Sequence, residues 1–139
     1  MLRRQHLTPT ALLGREGEEA AYWHLRARGF VMVERNYRPQ GLRGEIDLIG
    51  WEGDILVFIE VKTRRTIGRL MPETAVDLEK ERNVVAAAGE YRRRTNQVSK
   101  PFRFDIVSIV TGGAVSPPDA SVEHFRDAFR SARPASGNG

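Results

Sequence analysis

Apolar residues recur at helical spacing in two stretches of the chain. The first predicted helix starts at Thr8–Thr10 and runs to about Arg28, where Gly29 ends it. Its small and apolar face consists of Leu13, Gly17, Ala20, Ala21 and Leu25. The second predicted helix runs from about Pro72 to Arg94, and its buried side consists of Ala75, Val76, Val84, Val85, Ala87, Ala88 and Tyr91.

Between and after these helices the pattern changes to that of strands. Phe30–Tyr37 and Phe102–Val110 are rich in β-branched and aromatic residues, and each predicts a strand. Residues 63–71 and 111–121 are predicted to be loops, and Val122–Phe129 forms a short element whose type the pattern leaves open. With the hairpin described next, the order is α-β-β-β-α-β, which predicts an α/β fold with a mixed sheet flanked by helices.

Residues 44–62 give the clearest hairpin signal. With its turn at Glu52-Gly53, the predicted register pairs Trp51 with Asp54 and Asp47 with Phe58. Glu60 is then a diagonal neighbour of Asp47, with Cβ atoms roughly 7–8 Å apart, and Lys62 follows on the same face. The opposite face is an apolar layer for a helix to cover: Ile46, Leu48, Ile55, Val57, Ile59 and Val61.

The polar side of this hairpin suggests metal-assisted chemistry. Two carboxylates, Asp47 and Glu60, can hold Mg²⁺ or Mn²⁺, and the ammonium of Lys62 can orient or deprotonate a water. Two carboxylates and an ammonium group are the minimum set of side chains for metal-assisted cleavage of a phosphodiester. The alternative is that these acids only form salt bridges with Lys62 and Arg43, and the spacing alone does not separate the two interpretations.

Composition narrows the class of protein further. The 139 residues predict one domain over residues 10–130 with flexible termini at 1–9 and 131–139. A net charge of +4 suits a polyanionic partner, although charge alone does not identify one. The absence of cysteine excludes disulfides, zinc–thiolate sites and a thiol nucleophile. No apolar run has the length of a membrane span or a signal peptide, so we expect a cytoplasmic protein without a membrane partner.

Several motifs in the same order resemble the YraN-like bacterial family over about residues 12–129. They are Gly14–Ala21, Arg35–Arg38, Gly44–Ile49, Phe58–Arg64, Lys80 and Arg103–Asp105. The chain departs from the family at Asp127, where the family usually has Asn, and its 65–72 segment matches only loosely. The family is in turn similar to the PD-(D/E)XK nuclease superfamily, particularly archaeal Holliday-junction resolvases and restriction endonucleases. The resemblance therefore implies a restriction-endonuclease-like fold.

The resemblance also implies roles for individual residues. Asp47 matches the acid on the second strand of the nuclease core, although Ile46 stands where the superfamily has its name-giving proline. Glu60 and Lys62 match the (D/E)XK pair on the third strand. Glu18 matches an acid on the first helix that completes the metal site in resolvases, and the backbone carbonyl of Val61 would be a further oxygen ligand. Resolvase-like relatives work as symmetric pairs, which implies a homodimer.

Basic residues around this site are candidates for contacts with nucleic acid, since guanidinium groups match phosphate oxygens. They are Arg43, Arg64, Arg65 and Lys80, each of which could equally be solvated surface charge. The leading hypothesis is a metal-dependent endonuclease acting on branched or otherwise structured DNA. One alternative is a non-catalytic nucleic-acid-binding module that keeps the nuclease fold, and another is a basic domain that binds an acidic protein.

Overall fold

The computed structural model describes residues 9–66, 78–112 and 121–130, with the side chains of residues 14–64, 78–110 and 121–130. Two helices and five strands occupy these ranges. In chain order they are α1 (Pro9–Ala27), β1 (Val31–Tyr37), β2 (Ile46–Glu52), β3 (Ile55–Thr66), α2 (Leu78–Arg94), β4 (Phe102–Gly112) and β5 (Ser121–Phe129).

The five strands form one mixed sheet in the order β1-β2-β3-β4-β5. Neighbouring strands pair antiparallel except β3 and β4, which pair in parallel. A parallel pair needs a long crossover connection, and the segment between β3 and β4 contains α2. The predicted mixed sheet flanked by helices is confirmed, and the architecture is consistent with a restriction-endonuclease-like fold.

Helix α1 packs on one face of the sheet through the small-residue side that the sequence predicted. Ala21 and Leu25 are fully buried and join a cluster with residues of β2, β3 and β4: Leu48, Val57, Ile59, Val107 and Ile109. Gly17 faces Thr63 of β3, and Gly29, with φ of +99°, lies just beyond the end of the helix. The side chain of Leu13 lies outside the described residues.

Helix α2 covers the other face, so both sides of the sheet are core. Val84, Ala87, Ala88 and Tyr91 of α2 are buried as predicted. They join a cluster with sheet residues that include Ile49, Leu56, Phe58 and Phe104. Ile46 belongs to this cluster and not to the α1 side, because it pairs with Tyr37, which also packs against α2. The predicted start of this helix at residues 72–77, with Ala75 and Val76, lies outside the described residues.

The hairpin register differs from the prediction by two residues. Glu52 pairs with Ile55 and Ile49 with Phe58, so the turn is formed by Gly53 and Asp54. Gly53 has φ of +63°, a conformation that two-residue hairpin turns require and that glycine adopts without strain. Within the paired residues Leu48–Ile59, a shift of two residues leaves the facing of each side chain unchanged, but it changes which side chains lie directly opposite each other.

Two further segments differ from the sequence prediction. Residues 63–66 belong to β3, where the sequence predicted a loop, because they pair in parallel with Ile109–Gly112 of β4. Residues 121–129 form a strand that pairs antiparallel with β4. Thr111 and Gly112, also predicted to be in a loop, are the last residues of β4. The rest of both predicted loops and the two predicted flexible termini lie outside the described residues, apart from Pro9. Among the described residues, no helix is long and apolar enough to cross a membrane.

Candidate functional site

The candidate site lies where β2 begins and β3 continues past it. The last observed pair of this ladder is Leu48 with Ile59. Asp47 and Glu60 are the next residues beyond this pair on the two strands; the sequence prediction had made them diagonal neighbours. Lys62 follows two residues further along β3. The two predicted metal ligands therefore both lie just past the last pair of the β2–β3 ladder.

The Asp47 carboxylate is tied to the backbone of β3. Its Oδ2 accepts a hydrogen bond of 2.8 Å from the N–H of Val61, the residue next to Glu60. Burial raises the pKa of Asp47 to about 7; the Val61 hydrogen bond and the charge of Lys80 oppose this rise, whereas Glu18 and Glu45 add to it. A carboxyl group with this pKa is poised near neutrality, which is common at functional sites.

Glu60 is one of two buried charged residues among the described residues of the chain, with 4% of its side chain exposed. Lys80 and Lys62 supply its counter-charges, with their Nζ atoms 2.9 and 3.9 Å from Oε2. A buried carboxylate needs such partners because its desolvation is costly. The predicted ion pair with Lys62 is therefore present, and the strongest contact comes from Lys80.

Glu18 lies on α1, next to the glycine that contacts β3. Its Oε1 accepts a hydrogen bond of 3.1 Å from Nδ2 of Asn36, and its charge reaches Asp47 electrostatically. Within the described residues, no three Asp, Glu, His or Cys side chains form a group that could hold a metal. The metal-ligand role of Glu18 thus stays a prediction, as do the roles of the predicted carboxylate pair, Asp47 and Glu60.

This carboxylate pair has donor chemistry that fits a hard divalent cation. Carboxylate oxygens are the ligands that Mg²⁺ and Mn²⁺ prefer, and Mg²⁺ usually takes only one or two from the protein. Asp47 and Glu60 would supply these, with the Val61 carbonyl as the further oxygen predicted from the resemblance. The Glu60 carboxylate already attracts cationic groups, because the ammonium groups of Lys62 and Lys80 both lie within 4 Å of its Oε2.

The predicted phosphate-binding residues lie in different settings. Lys80 is in the first turn of α2, 48% exposed and paired with Glu60. Arg64 is partly buried on β3, and Arg43 is exposed in the segment before β2. Arg65 also belongs to β3, but its side chain lies outside the described residues.

A second polar network, which the sequence analysis missed, joins β4 and β5. The fully buried Asp105 accepts hydrogen bonds from Arg103 and from the N–H of Asp127, and it contacts Nε2 of His124 at 2.8 Å. Burial opposes ionisation of Asp105, yet these hydrogen bonds hold its pKa below the usual value. Asp127 has φ of +56° and lies within an irregularity of the β4–β5 ladder, between the pairs that Phe125 and Phe129 form with β4. Alternation on β4 places Arg103 and Asp105 on one face, but only the strand pairing brings in His124.

Replacing Asp47 with Asn is expected to stabilise the fold at pH 8. Ionising a carboxyl group whose pKa lies near 7 in the folded chain and near 3.8 when unfolded costs up to about 4 kcal/mol. Solvent relaxation reduces this, so we expect a gain of about 1–2 kcal/mol. The cost is fully present above pH 7 and fades as pH falls toward 4, because the folded protein then binds the proton. Urea unfolding at pH 8 and pH 5 measures both values.

The matched control for this prediction is Asp54→Asn in the exposed hairpin turn. It makes the same chemical change without relieving a buried charge, and its stability should stay within about 0.5 kcal/mol of the wild type. An Asp47→Asn protein no more stable than the wild type at pH 8, or a gain that is equal at both pH values, would contradict the expectation.

Fold and site together define a mixed α/β protein with a restriction-endonuclease-like architecture and an acidic pair beside two lysines. Residues 17–109 match the model of the Uncharacterised protein family UPF0102, and the chain belongs to this family, as the YraN-like motifs predicted. A UPF0102 protein of Solibacter usitatus (strain Ellin6076) is 45% identical over 116 residues, which are 84% of each chain. One of Rhodococcus opacus (strain B4) is 42% identical over 117 residues, 84% of this chain and 95% of the relative.

Proposed function

We propose that this protein is a divalent-metal-dependent nuclease of the PD-(D/E)XK superfamily that hydrolyses phosphodiester bonds in DNA. The observation that supports it best is the buried Glu60 beside Asp47, whose pKa is raised to about 7. Holding carboxylates in these positions costs folding free energy. Proteins retain such costs chiefly where the groups bind or react.

Each residue of the site has a part in this proposal. Asp47 and Glu60 would hold Mg²⁺ or Mn²⁺, together with the Val61 carbonyl and a contribution from Glu18. The bound ion would polarise the scissile phosphate and lower the pKa of a water. Lys62, 22% exposed and 3.9 Å from Glu60, would orient that water and neutralise charge that develops on the phosphate.

The proposed substrate is branched or otherwise structured DNA, by analogy with the resolvases that the family resembles. Arg43, Arg64, Arg65 and Lys80 would contact its phosphates. The proposal also includes a homodimer that acts on two DNA strands. It further includes a cytoplasmic location, where DNA is accessible.

Cleavage of labelled DNA tests it directly. Nicked, branched and single-stranded DNA is incubated with the purified protein in Mg²⁺ or Mn²⁺, and product is followed on denaturing gels. We expect metal-dependent cleavage that is lost in Asp47→Asn and Glu60→Gln, because each change removes a charged ligand from the ion. Glu123→Gln, an exposed residue of β5, is the matched control and should cleave like the wild type. Cleavage that persists in both site variants would place the activity elsewhere.

One observation favours a second candidate, a non-catalytic nucleic-acid-binding module. Glu60 already has two ammonium partners within 4 Å, so its burial is compensated without a metal. A module of this kind would bind DNA with strong salt dependence. It would not bind Mn²⁺ in a calorimetric titration and would not cleave DNA. The nuclease would bind Mn²⁺ and cleave DNA.

A further inference from the structure

We propose that Lys80 competes with the metal for Glu60, so that metal loading requires this lysine to leave the carboxylate. This inference rests on the proposed function, because it concerns the metal that Glu60 would hold. Lys80 would then control metal binding at this site, in addition to making the phosphate contact expected from the sequence.

The contact itself supports the competition. The Nζ atom of Lys80 lies 2.9 Å from Oε2 of Glu60, a charge-assisted hydrogen bond, whereas Lys62 is a full 1 Å further away at 3.9 Å. Lone pairs on this buried oxygen that face Lys80 are not available to a metal at the same time. The ammonium of Lys80 therefore occupies a position that a metal ion bound to Glu60 would need.

Lys80 also acts on the second carboxylate. Its charge lowers the pKa of Asp47, against the rise caused by burial. Lys80 therefore interacts electrostatically with both carboxylates, as a bound divalent ion would. Adding the metal while Lys80 stays would bring like charges together in a site of low dielectric, where repulsion is strong.

The position of Lys80 makes exchange feasible. It is 48% exposed in the first turn of α2, whereas Lys62 is 22% exposed within the sheet. A long, half-exposed side chain can change rotamer without any movement of the core. Lys62 can therefore remain beside Glu60 when Lys80 leaves.

Competition of this kind couples the binding of the metal to the binding of anionic ligands. A phosphate group that draws Lys80 away from Glu60 raises the affinity of the site for the metal, and by linkage the metal raises the affinity for phosphate. Free protein should hold the metal weakly, and nucleic-acid phosphates should promote loading. The ion would then be bound chiefly when a substrate is present.

Calorimetric titration of the full chain with Mn²⁺ tests the proposal. Lys80→Met is expected to bind Mn²⁺ about tenfold more tightly than the wild type, the factor that corresponds to about 1.4 kcal/mol. Lys100→Met removes the same charge from an exposed residue between α2 and β4 and should bind like the wild type. Lys80→Gln keeps a hydrogen-bond donor without the charge and serves if the Met variant does not fold.

The outcomes separate this inference from the function on which it rests. Wild-type binding with equal or weaker binding by the Lys80 variants would overturn the inference and leave the nuclease proposal standing. An equal gain in Lys100→Met would also overturn it, since the effect would then come from net charge. No Mn²⁺ binding by any protein, or binding that Glu60→Gln does not weaken, would overturn both.

Discussion

Lys62→Met is expected to lower the rate of DNA cleavage by about 10²–10⁴-fold, the contribution that a positioned acid–base group makes. Lys62 follows Glu60 by two residues on β3, and its ammonium is partly buried at 3.9 Å from that carboxylate. In the proposed mechanism it orients the attacking water and balances charge on the phosphate. Methionine keeps the length and the apolar stem of the side chain but removes the charge and the donors.

A comparison of metal affinity with rate separates this role from metal binding. Lys62→Met should bind Mn²⁺ at least as tightly as the wild type, because a positive neighbour of Glu60 has been removed. Its cleavage rate is measured at saturating Mn²⁺, with Lys100→Met as the control for lost charge. A rate that recovers to the wild-type value at saturating metal would assign Lys62 to metal binding, and an unchanged rate would exclude it from the chemistry.

Gly17→Ala is expected to destabilise the protein by about 3 kcal/mol, because α1 and β3 touch at this residue. A Cβ at this position would overlap Oγ1 of Thr63 and lie only 3.0 Å from its Cβ and Cγ2. The helix must then move away from the sheet or Thr63 must shift. Because Glu18 is the next residue, displacement of α1 would also move the acid predicted to complete the metal site.

The chain offers a matched control one turn earlier in the same helix. A methyl group added at Gly14 would meet no atom of the described residues within 4 Å, so Gly14→Ala should stabilise the protein by up to about 1 kcal/mol through helix propensity. Urea unfolding of both variants gives the comparison. Thr63→Ala in the Gly17→Ala background should recover part of the lost stability, since it removes two of the three overlapping atoms. Equal effects of the two glycine changes would disprove the close contact.

The hairpin shows which features of the site the local sequence pattern could predict and which it could not. Alternation placed Asp47, Glu60 and Lys62 on their strands, but two turn positions one residue apart were each compatible with the same faces. Sequence reasoning chose Glu52-Gly53, whereas the chain turns at Gly53 and Asp54. A register shift of two residues leaves the facing of the paired residues unchanged, so the apolar pattern is compatible with both registers. Only the strand pairing shows that Ile49, and not Asp47, lies opposite Phe58.

Amino-acid order by itself determined the helix α1 and its small-residue face, the buried side of α2, the hairpin and the identity of the acidic pair. These follow from periodicity and local turn chemistry, which act over a few residues. The tertiary structure decided the contact of Lys80 with Glu60, the strand pairing of β5 and the burial of Asp105 beside His124. Such contacts join residues that are distant in the chain, and they depend on how α2 and the edge strand dock, which no local pattern encodes.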